Sequence, residues 1–229
     1  MAQKIQPNSF RIGITKPWAA RWFFKRALRY FLEEDEAIRN FLRKKVLAAG
    51  IDAIEIERTQ GAVKVVVRAQ KPGVIIGRGG KGIDDLKTGL LVIVRKLRLV
   101  NKINDRFNLN LAIEELRRSE VSASVVAQNI ATDIEKRQPY RRIMRRQVEF
   151  TRQNREVKGI KIKLSGRLNG AEISRHETMT EGKMPLQTLR ANIDYGVATS
   201  FNSYGTIGIK VWIYKGEVFE EKKPREERK

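Results

Sequence analysis

Cysteine is absent from this chain of 229 residues, and histidine occurs once, as His176. Without cysteine there is no disulfide and no thiolate metal site, which fits a reducing compartment. With one histidine, a histidine-clustered metal site is excluded, as is any Ser-His-Asp relay not built on His176. Long apolar runs are also missing. None approaches the roughly 20 residues of a membrane-spanning helix, and charges interrupt every apolar stretch near the N-terminus, so no signal-peptide core is expected. Acidic residues are scarce: 26 Asp and Glu stand against 47 Lys and Arg.

That imbalance leaves a formal net charge of +21 and a pI near 10.5. Such a surplus calls for a polyanionic partner, with nucleic acid the first candidate and an anionic membrane surface the second. Apolar residues make up 41% of the chain, enough for packed cores in two modest domains. Residues 1–34 read as a basic, irregular arm in which Phe10, Trp18, Trp22, Phe23, Phe24, Tyr30 and Phe31 alternate with Lys4, Arg11, Lys16, Arg21, Lys25, Arg26 and Arg29. Two readings stay open. The aromatics pack on a neighbouring domain, or the arm lies on RNA with its planes stacked on bases.

The stretch Lys71–Leu97 organises the rest. A short apolar run, Val74-Ile75-Ile76, leads into the tight loop Gly77-Arg78-Gly79-Gly80. An amphipathic helix follows, with Ile83, Leu86, Leu90, Leu91, Val94 and Leu97 as its apolar stripe. A glycine loop opening a helix offers backbone N–H groups to a phosphate, and Arg78 and Lys81 add charge. Gly77, Gly79 and Gly82 also fit the dinucleotide fingerprint G-x-G-x-x-G. That motif needs a strand directly before it, and here Gln70-Lys71-Pro72-Gly73 breaks the chain first. No Walker A spacing exists either. The better match is the GxxG loop of a K-homology (KH) domain, which clamps about four nucleotides by their backbone; a purely structural helix-entry turn is the third reading.

The flanking pattern supports the KH reading. Asp35 is the expected N-cap of a helix carrying Ile38, Phe41, Leu42 and Val46, with Gly50 at its C-terminal end. Strands follow at 51–58 and 62–69, and a third alternates through Phe107, Leu109, Leu111 and Ile113. With 72–76 as a short helical turn, the order is α-β-β-α-α-β. This is the type II KH order, with a three-stranded mixed sheet over residues 35–117.

Residues 118–214 read as a second α/β domain, two helices on a four-stranded, mostly antiparallel sheet, so that the whole is α+β. Ser119 is the expected cap of a helix with Val121, Val125, Ile130 and Ile134 on its buried side, stopped by Gln138-Pro139. The next helix, from Tyr140, gathers Arg141, Arg142, Arg145, Arg146 and Arg152, with Ile143, Met144 and Phe150 expected on the opposite side. A solvated charged face normally mixes signs; here like charges stand at i,i+4 twice, a repulsion that a polyanion relieves. Strands then alternate around Ile160, Ile162 and Leu164, across 171–180, and in a hairpin around Asn202-Ser203-Tyr204-Gly205. The charged residues 215–229 are expected to be a disordered tail. Enzymatic readings are thin. The pairs Asp84-Asp85 and Glu114-Glu115 diverge in direction, as neighbours do on a helix or a strand, and His176 beside Glu177 and Glu172 reads as a surface histidine. No cofactor is expected.

Five ordered motifs together resemble the S-three family of small ribosomal subunit proteins over nearly the whole chain. They are Gln3-Lys4-Ile5-x-Pro7-Asn8-x-x-Arg11-x-Gly13-Ile14, the loop Val74–Gly80, and Gly166-Arg167-Leu168-x-Gly170-Ala171-Glu172-Ile173-x-Arg175. The others are Pro185-Leu186-x-Thr188-Leu189-Arg190-Ala191-x-Ile193-Asp194-Tyr195 and Gly205-x-Ile207-Gly208-x-Lys210-Val211-Trp212. Gln6, Ser9 and Gly79 depart from the family's usual residues. A free KH regulator would share the loop but not the Gly166–Arg175 motif. The resemblance implies a cytoplasmic, ribosome-bound structural protein in the head of the small subunit. Its partners would be ribosomal RNA, messenger RNA and the proteins S-ten and S-fourteen. It implies that Gly77, Arg78, Gly79, Gly80 and Lys81 hold RNA, and that Arg141, Arg142 and Arg145, with Arg146 adjoining, line the channel by which messenger RNA enters. Lys4, Arg11, Lys16 and Arg167 are the expected ribosomal RNA contacts.

Overall fold

A computed structural model describes residues 4–22, 28–46, 49–59, 61–101, 107–116 and 121–219. The first domain opens with a single turn, α1 (Pro7–Phe10), and a short strand, β1 (Ala20–Trp22). Then come α2 (Leu28–Lys45), β2 (Ile51–Thr59), β3 (Ala62–Ala69), α3 (Pro72–Ile76), α4 (Lys81–Val100) and β4 (Asn108–Glu115). The expected α-β-β-α-α-β order is present. β2 and β3 pair antiparallel, and β3 and β4 pair parallel. Alternation explains the core: Ile54, Ile56, Val63, Val65, Val67 and Leu109 point to one face, where Ile38 and Leu42 of α2 and Leu90 and Val94 of α4 cover them.

Two expectations are corrected here. The sheet has four strands, because β1, from the supposedly irregular arm, adds to β2 in parallel at Ala20–Trp22. Asp35 is not an N-cap, since α2 is already helical from Leu28 and Asp35 lies buried inside it. It accepts hydrogen bonds from Arg58 Nε at 2.9 Å and from the indole Nε1 of Trp22 at 3.0 Å. Glu34 beside it meets Arg58 at 2.7 Å and Arg98 of α4 at 2.8 Å. Phe31 and Phe107 lie against these two guanidinium groups at 4.8 and 3.9 Å. Among the described residues, Glu34 and Asp35 thus meet Arg58 and Arg98 where α2, α4 and β2 come together. Residues 23–27 and Ser119 of the sequence reading fall outside the described residues, as do 220–229 of the expected tail.

The second domain comprises α5 (Ala123–Glu135), α6 (Tyr140–Arg152), β5 (Gly159–Gly166), β6 (Arg175–Gly182), β7 (Ala191–Asn202) and β8 (Gly205–Glu217). Its strands run β6-β5-β8-β7, every pair antiparallel. Ile160, Ile162, Leu164, Ile207, Ile209, Val211 and Ile213 form the inner face, and α5 and α6 lie on it. The cap of α5 is Ser122, whose Oγ accepts from Val125 N–H. Phe150, expected beside Ile143 and Met144, is instead exposed. β8 continues through Glu217, and Val218 N–H donates to Arg190 O, so the chain stays ordered past 215.

The domains are joined in two ways. The Gln128 amide on α5 makes a reciprocal pair with the Ile51 backbone, at 3.1 and 2.7 Å, and Ser122 Oγ donates to Asp52. The N-terminal segment, besides lending β1 to the first sheet, is pinned to the second: Asn8 Nδ2 donates to Tyr195 O and Arg11 Nε to Ala191 O.

Candidate nucleic-acid interface

The glycine loop stands where α3 meets α4. Gly77 ends α3 at φ 68°, ψ −179°, a region only glycine occupies readily. Gly79 and Gly80 are also left-handed, and a Cβ on either would meet open space, so the loop backbone is accessible. Gly82 serves packing instead: a Cβ there would lie 2.5 Å from Ile75 O. The third glycine of the dinucleotide motif is thereby explained by the approach of α4 to α3. Arg78 and Lys81 are exposed beside the loop. On α4 the apolar stripe is narrower than expected; only Leu90 and Val94 among its apolar residues are fully buried.

The arginine ridge forms because α6 buries Ile143, Met144, Val148 and Thr151. At 100° per residue, this fixes Arg141, Arg142, Arg145, Arg146 and Arg152 on the solvent side, and all five are exposed. The ridge is partly matched by the protein's own acids. Arg141, 70% exposed, meets Glu177 at 2.8 Å, Arg146 meets Asp133, and Arg152 meets Glu181. The hydrogen bond from Arg141 holds the Glu177 carboxyl below its ordinary range. Such exposed pairs are worth little and yield readily to a competing polyanion. Among the described residues, no carboxylate lies within ion-pair distance of Arg142 or Arg145.

The four expected ribosomal RNA contacts fare differently. Lys4 is exposed. Arg11 is a correction: it is 0% exposed, and its guanidinium donates to the carbonyls of Pro7, Ala191, Leu186 and Thr188 at 2.7–3.1 Å. It tethers the N-terminal segment to β7 and cannot reach RNA. Burial also pushes it below its ordinary pKa. Lys16 is drawn inward too, bonded to Asp194 at 2.8 Å and to Asn8 at 2.9 Å. For Asp194, burial alone would raise the pKa; attraction to Lys16 and Lys215, with N–H donation from Ala123, overcomes it and leaves the carboxyl low. Arg167 folds over its own loop, donating to Ala171 O and Tyr204 O.

The role of Arg11 gives a direct test. Arg11→Lys keeps the charge but cannot span four carbonyls, so it is expected to cost about 2–3 kcal/mol. Urea denaturation with an unchanged midpoint would return Arg11 to the surface.

The sequence reading missed a lysine patch on the outer sheet face. Lys163 of β5 stands directly opposite Lys210 of β8, with Lys161 two residues along. Like charges so placed repel. Burial chiefly, then Lys4 and Lys163, push Lys161 below its ordinary pKa. The alternation of lysine with isoleucine was the available signal.

Among the described residues there is no group of acids and histidine able to hold a metal, and no helix is long and apolar enough to cross a membrane. Glu114 is paired with Arg68. An accessible glycine loop in a KH fold, joined to a sheet domain carrying an arginine ridge, defines a class of KH-containing RNA-binding proteins. The KH domain profile matches residues 37–122, and the profile for ribosomal protein S3, C-terminal domain, matches 130–213. The small ribosomal subunit protein uS3 of Syntrophomonas wolfei is 45% identical over 225 residues, 98% of this chain and 94% of the relative. That of Kosmotoga olearia is 46% identical over 223 residues, covering 97% and 98%. That of Maridesulfovibrio salexigens is 44% identical over 220 residues, covering 96% and 98%. The chain belongs to the small ribosomal subunit protein uS3 family. It is a structural constituent of that subunit, ribosome-bound in the cytoplasm, with ribosomal RNA as partner, and not an enzyme.

Proposed function

We propose that this chain lines the channel by which messenger RNA enters the small subunit, and that Arg141, Arg142, Arg145 and Arg146 hold the incoming strand by its phosphates. The observation that carries the reading is the outward ridge on α6, two of whose arginines have no acidic partner among the described residues. Four guanidinium groups in two turns of helix repel one another, and a bound strand removes that repulsion. In this reading the loop Gly77–Lys81, with Lys4 and the outer-sheet lysines, grips ribosomal RNA. The S-ten and S-fourteen proteins are its neighbours in the subunit head. The chain divides into arm, KH domain, second domain and tail. The divisions at 34/35 and 214/215 move outward, because α2 begins at Leu28 and β8 ends at Glu217: the KH domain starts with α2 and the second domain closes with β8. The ridge hydrolyses nothing, so work done on messenger structure comes from translocation.

Replacing Arg141, Arg142 and Arg145 together with alanine is the test. Subunits should still assemble, while translation through messages carrying stable hairpins slows and translation of unstructured messages does not. The slope of log affinity against log salt for single-stranded RNA should flatten by about 2 units. Equal speeds on hairpin and unstructured templates would remove the ridge from this role.

A further inference from the structure

A groove of about 530 Å³ opens at one end of the second domain. Its walls are the turn between α5 and α6, the Arg167–Gly170 loop and the tip of the β7–β8 hairpin. A smaller hollow shares Tyr140, Asn169 and Gly170 with it and reaches Arg141 and Arg175. The groove therefore adjoins a hollow lined by the first arginine of the ridge.

Two aromatic side chains stand at the hairpin tip in water: Phe201 is 71% exposed and Tyr204 63%. The inner-face core does not claim either. Arg167 lies 5.7 Å from the Tyr204 ring centre and is itself fixed by bonds to Ala171 O and Tyr204 O. One face of the tyrosine is thus backed by a held guanidinium, and the ring is arranged before any ligand arrives. Inside the groove, Glu135 accepts the Phe201 N–H at 3.1 Å. A carboxylate there repels phosphate, yet it can accept hydrogen bonds from the amino and imino groups of a nucleobase. Arg137, at φ 59°, lines the same groove, and Arg141 lines the hollow beside it, so positive charge is at hand for a strand's phosphates. An acceptor and two exposed rings share one lining with Arg137 and Arg167, a combination that suits a base stacked on the rings with its phosphates turned to the arginines.

We propose that this groove receives an unpaired nucleobase of the RNA strand whose phosphates lie on the arginine ridge. The strand's course rests on the function proposed above; the stacking itself is measured independently of it. Phosphates are presented by duplex and single strand alike, so a ridge of arginines has weak means of telling them apart. Aromatic planes take only bases freed from pairing, and every base has a face to stack. The groove thereby supplies the preference for single strands that the ridge lacks.

The test uses the full chain and three RNA probes: a single strand carrying 2-aminopurine, the same sequence as a duplex, and an abasic single strand. Phe201→Leu with Tyr204→Leu keeps apolar volume and removes both rings. This variant should bind the single strand about tenfold more weakly, abolish the change in 2-aminopurine emission on binding, and leave duplex and abasic affinities unchanged. Arg142→Ala with Arg145→Ala should weaken all three probes together. Undiminished single-strand binding by the leucine variant overturns the proposal, as does an equal loss on all three probes. A leucine variant that behaves as expected beside an arginine variant that changes nothing leaves the groove standing and removes the ridge. Circular dichroism on the leucine variant checks that the fold is kept; Phe201→Ser alone, at an exposed position, gives the same comparison if it is not.

Discussion

Arg58→Ala is expected to destabilise the chain by about 3–5 kcal/mol, the usual cost of removing one partner from a buried ionic cluster. Arg58 is the hinge of that cluster. Its Nη1 holds Glu34, its Nε and Nη2 hold Asp35, and all three side chains are almost wholly removed from water. Without it, Arg98 is the arginine left among the described residues of the cluster, and it reaches Glu34 and not Asp35. The Trp22 indole still donates to Asp35 but cannot balance its charge. The aromatic contact of Phe31 with the guanidinium disappears as well. For a chain of this size the loss corresponds to a fall in Tm on the order of 10 °C. Arg58→Lys should recover only part of it, because an ammonium cannot serve both acids with the same fork. Thermal unfolding followed by circular dichroism decides, and a loss under about 1 kcal/mol would mean that the cluster is far better hydrated than the fold allows.

The second large effect is expected at Gly196. It lies on β7 opposite Val211, on the face that α5 covers. A Cβ there would sit 2.2 Å from Ala123 O, 2.4 Å from Ala123 C and 2.6 Å from Ser124 N. All three are backbone atoms at the start of α5, so no side chain can swing aside. The helix must lift from the sheet, and Asp194, which accepts from Ala123 N–H at 2.9 Å, would lose that bond. Gly196→Ala is therefore expected to cost about 3 kcal/mol, the upper end for overpacking. Gly208→Ala on the neighbouring strand is the control. Its nearest contact would be Ser165 O at 3.8 Å, ordinary separation, and its midpoint in urea should hardly move. Equal midpoints for the two variants would contradict the close seating of α5.

The contrast between these glycines shows where reading the chain succeeds and fails. Periodicity located the longer helices and strands, though not all their ends, because one buried face imposes its spacing on the residues that build it. It also placed the ridge, since burying Ile143 and Met144 leaves the arginines one side only. Long-range pairing was not legible. Arg11 and Arg78 are both arginines beside turn residues, yet one is enclosed by carbonyls about 180 positions away and the other faces solvent. Asp35 looked like a cap because caps and buried partners use the same side chain, and only Arg58 in space separates the two. β1 is three residues long, too short to show alternation, and it exists because β2 has an edge to offer. The aromatic groove draws its walls from residues near 137, 168 and 203, which no local pattern connects.

The tether at Arg11 sets an order of events for the newborn chain. Its acceptors at Leu186, Thr188 and Ala191 follow it by 175–180 positions. Translation delivers the first of these partners long before the last, and contacts so distant in sequence close late. The residues around Arg11 must wait for these carbonyls until position 191 has been made, with the pairing of β1 to β2 as an earlier anchorage. A product cut short before position 186 would lack these carbonyls and hold its N-terminal segment to the first sheet alone, through β1.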